Sequence, residues 1–291
     1  MRFAVIERFR GGFPLAMMCR LLEVSRSGFH AASTRAESSR SVFERRLRVE
    51  VRAAFKRSRN RYGSPRIVAE LRDNGIDVGR RRTARIMRQE GLVARKRRRW
   101  RHQSTPDATR SYPRNILARK FEVRERDSVW VADITEFPAL SGRLYFAVVI
   151  DLYSRRVVGW AVASHVRASL AVEALQLAIE RRRPSPGLLH HSDRGSQYFS
   201  EDYNAVLRRH AVTPSMSRRG NCWDNAVAES FFSTLKTELL DGRPPGSLDD
   251  ARRRLFEYIE VFYNRQRRHS TLGQMSPADF ENINRRAAHA A

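Results

Sequence analysis

The chain has 291 residues, a formal net charge of +25 and a sequence pI near 11.4, a balance that calls for a polyanionic partner. No run approaches the ~18–20 apolar residues of a membrane span and no signal peptide precedes the start, so the sequence argues against a membrane role and for the cytoplasm. The two cysteines, Cys19 and Cys222, form neither a disulfide framework nor a zinc cluster.

The charge divides the chain. Residues 1–120 hold 32 Lys+Arg against 10 Asp+Glu, whereas residues 121–291 hold 24 against 21. The charge that would hold a polyanion is thus expected in the N-terminal part, ahead of a nearly balanced remainder.

Residues 1–60 form a first region. Pro14 to Leu22 reads as an apolar helix, Glu23-Val24 as a tight connection, and Ser25 as the cap of a second short helix, which fits helix-turn-helix geometry. A plain packing hairpin is the bland alternative. Residues 61–94 repeat the theme. Pro65 suits a first helical turn, Asn74-Gly75 stops that helix, and a following helix turns Ile86 and Met87 inward. Arg81, Arg82, Arg85 and Arg88 cover its other face, making it the expected recognition helix, with a solvated basic face as the alternative. Residues 95–120 read as a basic linker in which Lys96, Arg97 and Arg98 neutralise phosphate and Trp100 stacks on a base or anchors the linker.

Residues 121–291 alternate between strand and helix patterns. Strands are predicted at 129–137, 143–151 and 155–163 as an antiparallel meander. A helix at 167–183, a strand at 187–192, a helix near 199–210, a strand at 211–215 and helices at 224–241 and 248–264 follow. Three acids stand out in this frame. Asp133 interrupts the apolar run Val129 to Phe137, where an unpaired carboxylate is expensive. Asp193 ends the segment Gly187 to Asp193 at a strand-to-turn junction, where sites of α/β sheets collect. Glu229, separated from it by 35 residues, lies on the 224–241 helix. Ala228, Phe231, Phe232, Leu235 and Leu239 form that helix's buried stripe, while Asn225, Glu229, Ser233 and Lys236 form a polar edge. Three hard oxygen donors from two strands and a helix describe a divalent-cation site, magnesium first and manganese as the alternative.

Other candidates are weaker. Asp151 suits a strand-end turn as well as a ligand, and Glu136 alternates to the side opposite Asp133. His190 and His191 point apart on a strand, and no partner cluster completes a zinc site. Cys222 has no paired base. Ser217 to Trp223 reads as a mobile loop hinged on Gly220.

At these acids the sequence resembles the catalytic domain of the acidic-triad (DDE) transposases and retroviral integrases. More narrowly, it resembles the OrfB product of a large bacterial insertion-sequence family whose transposase is read from two overlapping frames. The resembling segments are Trp130–Phe137, Tyr145–Trp160, His191–Tyr198, Ser215–Lys236 and Tyr263–Phe280. The resemblance implies a ribonuclease-H-like α/β catalytic domain behind an all-α helix-turn-helix region. It implies Asp133, Asp193 and Glu229 as catalytic residues holding two magnesium ions, Lys236 on the terminal DNA phosphate or base, and the Ser217–Trp223 loop beside the site. The expected activity is strand cleavage and strand transfer at insertion-sequence ends, through a circular intermediate. The expected partners are terminal inverted repeats, target DNA, further copies of the chain, and the OrfA product or an OrfA–OrfB fusion. The chain begins at the OrfB-like portion and sustains no coiled-coil heptads, so a coiled-coil partner is expected from the upstream frame. A helix-turn-helix regulator with an inactive integrase-like domain is the alternative function, separable by a cleavage assay.

Overall fold

The computed structural model describes residues 2–94, 112–219, 221–240 and 243–290. Lys96, Arg97, Arg98 and Trp100 lie outside the described residues, as does Gly220. The chain divides into two compact units, residues 1–54 and 55–291.

In the first unit, helices α1 (Arg2–Arg8), α2 (Leu15–Leu21) and α3 (Arg26–Thr34) precede α4 (Ser39–Arg57), whose last turn passes into the second unit. The Ser25 hydroxyl accepts from Gly28 N at 2.9 Å and starts α3, the cap its sequence predicts. Ile6, Met18, Cys19 and Phe29 form a small core under Leu15, Leu22 and Val24.

The second unit opens with α5 (Ser64–Asp73) and α6 (Arg80–Gln89). Pro65 occupies the first turn of α5, and Gly75, at φ 75°, takes the left-handed conformation that ends it. On α6, Thr83, Ile86 and Met87 are buried while Arg81, Arg85 and Arg88 are exposed and Arg82 is half-buried. Tyr62, just before this pair, donates from its hydroxyl to Gln266 O at 3.2 Å and accepts from Arg268 N at 2.9 Å. These helices are therefore tied to the C-terminal segment of their own unit.

A five-stranded sheet forms the centre, in the order β3-β2-β1-β4-β5. Strands β1 (Val129–Ala139), β2 (Gly142–Asp151) and β3 (Val157–Ala163) are the predicted antiparallel meander. After α7 (Ala168–Arg182), β4 (Leu189–Ser192) pairs parallel to β1. After α8 (Glu201–Arg209), β5 (Thr213–Met216) pairs parallel to β4. A helix between parallel strands is what such crossovers require. Alanines on α7 let it approach β3 so closely that a Cβ on Gly159 would lie 2.1 Å from Ala174 O. Trp130, Ala132, Val149 and Val158 from the sheet and Leu170, Leu175 and Ile179 from α7 form the core of that face.

Helix α9 (Ala226–Leu235) packs Phe231 and Phe232 against Phe146 of β2, with ring centroids 6.4 and 6.0 Å away. The 224–241 helix expected from the sequence is not uniform. A 3-10 turn (Cys222–Asn225) opens it and a π-helical turn (Lys236–Leu240) closes it. The wider turn rotates the following side chains, so Leu240 rather than Leu239 is buried. Helix α10 (Leu248–Phe256) runs likewise into a π-helical stretch, Glu257–Tyr263. Helix α11 (Pro277–Ala290) docks through Glu281, which Arg156 and Arg182 hold at 2.7 and 2.9 Å.

Candidate active site

The site begins with strand register. Val131 of β1 pairs with His191 of β4, the last pair of that ladder, and Asp133 and Asp193 each follow it by two residues, with Asp193 just past the end of β4. In parallel strands residues in register face the same side. Helix α9 brings Glu229 to this side, and its start is tied to the strand, since the Asn225 side-chain amide donates to Ala132 O at 3.0 Å. All three acids are half-buried.

The local geometry aims the carboxylates. Asp133 Oδ1 accepts from Ile134 N at 2.8 Å. Asp193 Oδ1 accepts from Gly195 N at 2.9 Å, and a Cβ on Gly195 would come within 3.0 Å of that oxygen. Desolvation, then Asp193 and Glu229, push the Asp133 carboxyl well above the usual carboxylate range, against the pull of Ile134 N–H and Lys236. Burial also raises Asp193, opposed by the Gly195 hydrogen bond, and burial raises Glu229. Like charges brought together without water produce this pattern, and a bound cation relieves it.

Lys236 is buried rather than solvating the surface. Burial lowers its pKa, while Glu136 and Asp133 hold it charged. Lys236 opens the π-helical turn that closes the helix of Glu229.

Among the described residues no group of three His, Cys, Asp or Glu side chains is gathered closely enough to hold a metal ion as it stands. The donor set still fits a hard divalent cation, since the three acids offer only carboxylate oxygens; on the flanking elements, Asn225 Oδ1 and Thr135 Oγ1 are buried without hydrogen-bond partners among the described residues.

The weaker candidates take structural places. The Asp151 carboxylate accepts from Asp127 N and from the backbone and hydroxyl of Ser154, closing the β2–β3 turn. Glu136 is exposed and bridges to Arg143 at 3.0 Å. His191 joins Ser215 and Ser217 at 2.9 and 3.1 Å, and His190 meets the Tyr203 hydroxyl at 3.0 Å, so both serve packing.

Sequence reasoning placed Asn225 on the polar edge of the helix without its bond to β1, and it overlooked Asp224. Asp224 is wholly buried, gripped by Arg218 Nη2 at 2.8 Å and Arg119 Nε at 2.9 Å, and the paired guanidinium of Arg218 holds its pKa far below the usual range. The loop read as mobile is thus clamped at Arg218. The usable signal was an Asp-Asn pair ahead of the apolar stripe, since such residues favour helix entrances.

Sheet order, a carboxylate within β1, a second just past β4 and a third acid on the covering helix define an integrase-type, ribonuclease-H-like polynucleotidyl transferase. Family comparison agrees: integrase core domain models match residues 124–222 and 210–277, and an HTH-like domain model matches residues 43–100. The transposase InsF for insertion sequence IS3A of Escherichia coli is 41% identical over 286 residues, covering 98% of this chain and 99% of the relative. The 31 kDa protein of insertion element IS600 from Shigella sonnei is 41% identical over 263 residues, covering 90% and 97%. The chain belongs to the OrfB transposase family of IS3-type insertion sequences. A simian T-cell lymphotropic virus intasome chain superposes with a TM-score of 0.45 and 18% identity, over 73% of this chain and 69% of that one.

Proposed function

We propose that Asp133, Asp193 and Glu229 carry the DNA strand cleavage and strand transfer of this DDE-type transposase. The observation that supports this reading is the parallel β1–β4 pairing, whose last pair, Val131 with His191, lies two residues before each aspartate, while Asn225 ties the start of the Glu229 helix to the same strand. The three carboxylates hold divalent metal, magnesium with manganese as a substitute and two ions in all. Bound there, the metal supplies Lewis-acid stabilisation of the phosphoryl oxygens and acidifies the attacking hydroxyl. Asp133 and Asp193 gather negative charge where the cations sit, and Lys236 contributes a fixed positive charge for the terminal phosphate. The first displacement uses water at an element end; the second uses the freed 3′-hydroxyl on another phosphodiester, so no covalent protein–DNA intermediate is required.

The exposed Arg81, Arg85 and Arg88, with Arg82 beside them, contact the terminal repeats from α6, and the Lys96–Arg98 run adds phosphate contacts. Further copies of the chain, and the OrfA product alone or fused, pair the two element ends. Among the described residues no helix is long and apolar enough to cross a membrane, and the reaction belongs in the cytoplasm with its DNA.

Asp133→Asn, Asp193→Asn and Glu229→Gln should each abolish magnesium-dependent cleavage and joining on end oligonucleotides while DNA retention stays largely intact. Turnover retained in any one removes that residue from the site. Charge reversal at Arg81 and Arg85 should lower discrimination between element ends and random DNA and flatten the salt dependence of binding. Unchanged discrimination takes DNA recognition away from α6.

A further inference from the structure

Tyr198 belongs to the 3-10 turn Ser196–Phe199 that follows Asp193. It is 2% exposed, and its hydroxyl is buried without a hydrogen-bond partner among the described residues. Buried hydroxyls rarely stay unpaired, because an unmade bond costs about 1–3 kcal/mol. A Cβ placed on Gly195 would meet both Asp193 Oδ1, at 3.0 Å, and the ring edge of Tyr198, at 3.6 Å, so the phenol ring and the carboxylate line the same glycine. The phenol also feels the charges of Asp133 and Asp193. The ring is held from behind by Tyr203, edge-on with centroids 5.3 Å apart, and Tyr203 is itself fixed through its hydroxyl to His190. The ring is thus rigidly mounted and shares Gly195 with the Asp193 carboxylate, while Asp133 and Asp193 each accept a backbone hydrogen bond and keep oxygen lone pairs to spare.

We propose that Tyr198 is a positioning residue for the metal-binding carboxylates, its hydroxyl donating a hydrogen bond to the Asp133–Asp193 pair when a divalent cation draws their oxygens into place. The proposal rests on the carboxylate reading above. In the metal-free protein the hydroxyl is a small liability, and in the metal-loaded protein it orients a ligand. Partners behind metal ligands typically contribute about 10–100-fold in affinity.

The test is calorimetric titration of the full chain with Mn2+ alone, without DNA, beside thermal melting in chelator. Wild type should bind, and Asp193→Asn should lose binding. Tyr198→Phe, which keeps the ring in its apolar surroundings, should bind about 10-fold more weakly while melting in chelator at the wild-type temperature or above. Tyr203→Phe should melt lower, having lost the His190 bond, yet bind Mn2+ like wild type. Wild-type affinity in Tyr198→Phe overturns the proposal, and so does an equal loss of affinity in Tyr203→Phe, which would assign the effect to core packing. Absence of Mn2+ binding in wild type, or its survival in Asp193→Asn, overturns the carboxylate reading and this proposal with it.

Discussion

Replacing Asn225 by alanine separates support from chemistry. Asn225 is 3% exposed, and its side chain is tied to the sheet by the 3.0 Å bond to Ala132 O, one residue before Asp133. Losing that bond deprives a buried carbonyl of a partner, while removing the unpaired Oδ1 works in the opposite direction. The net cost is about 1–2 kcal/mol. For a unit of this size that lowers the melting temperature by roughly 2–8 °C. The functional effect is larger than the structural one. Glu229 lies one helical turn beyond Asn225, so an untied α9 lets its carboxylate drift relative to Asp133. A displacement near 1 Å costs on the order of 100-fold in rate. Urea unfolding and single-turnover strand joining measure the two effects on the same preparation, with end-DNA retention as control. Joining at the wild-type rate in a variant destabilised as expected would refute the idea that this bond positions the catalytic helix.

Gly159→Ala should destabilise the catalytic unit by at least about 1–3 kcal/mol, because its Cβ would meet Ala174 O at 2.1 Å and Ala178 N at 2.8 Å, both helix backbone; an unmoved urea midpoint would contradict the closeness of α7 and β3. Acid should destabilise the fold through His190 and His191, whose pKa values burial pushes down to about 3 and about 4. Folded, both stay neutral; unfolded, both take protons near pH 6.5, so their stability contribution is complete above that pH and is lost as pH falls toward 4. The slope is at most about 1.4 kcal/mol per pH unit per histidine. Melting from pH 8 to 4.5 should therefore flatten in His190→Gln, and an identical curve would exclude this origin of acid sensitivity.

Much of the fold is written in short-range pattern. The alternation from Val129 to Ala163 specifies three strands, Ser25 caps α3, and Asn74-Gly75 ends α5, because each depends on neighbours within a turn or two. The words around Asp133, Asp193 and Glu229 likewise single out the acids, since an ionisable group in an apolar run demands a reason. What the pattern does not carry is which distant segments adjoin. Strand β4 lies beside β1 because α7 covers the sheet and returns the chain there, and that placement brings the segment leading to Asp193 alongside the segment leading to Asp133 across 59 intervening residues. The π-helical turn after α9 is also invisible to a 3.6-residue period; it buries Lys236 and Glu238, and Glu238 then pairs with Arg267 at 2.8 Å. The Asn225 tether and the unpaired Tyr198 hydroxyl belong to the same category. Local periodicity follows from backbone geometry, whereas register between distant strands and the direction of a buried polar group follow from packing, which exists only once the chain has closed on itself.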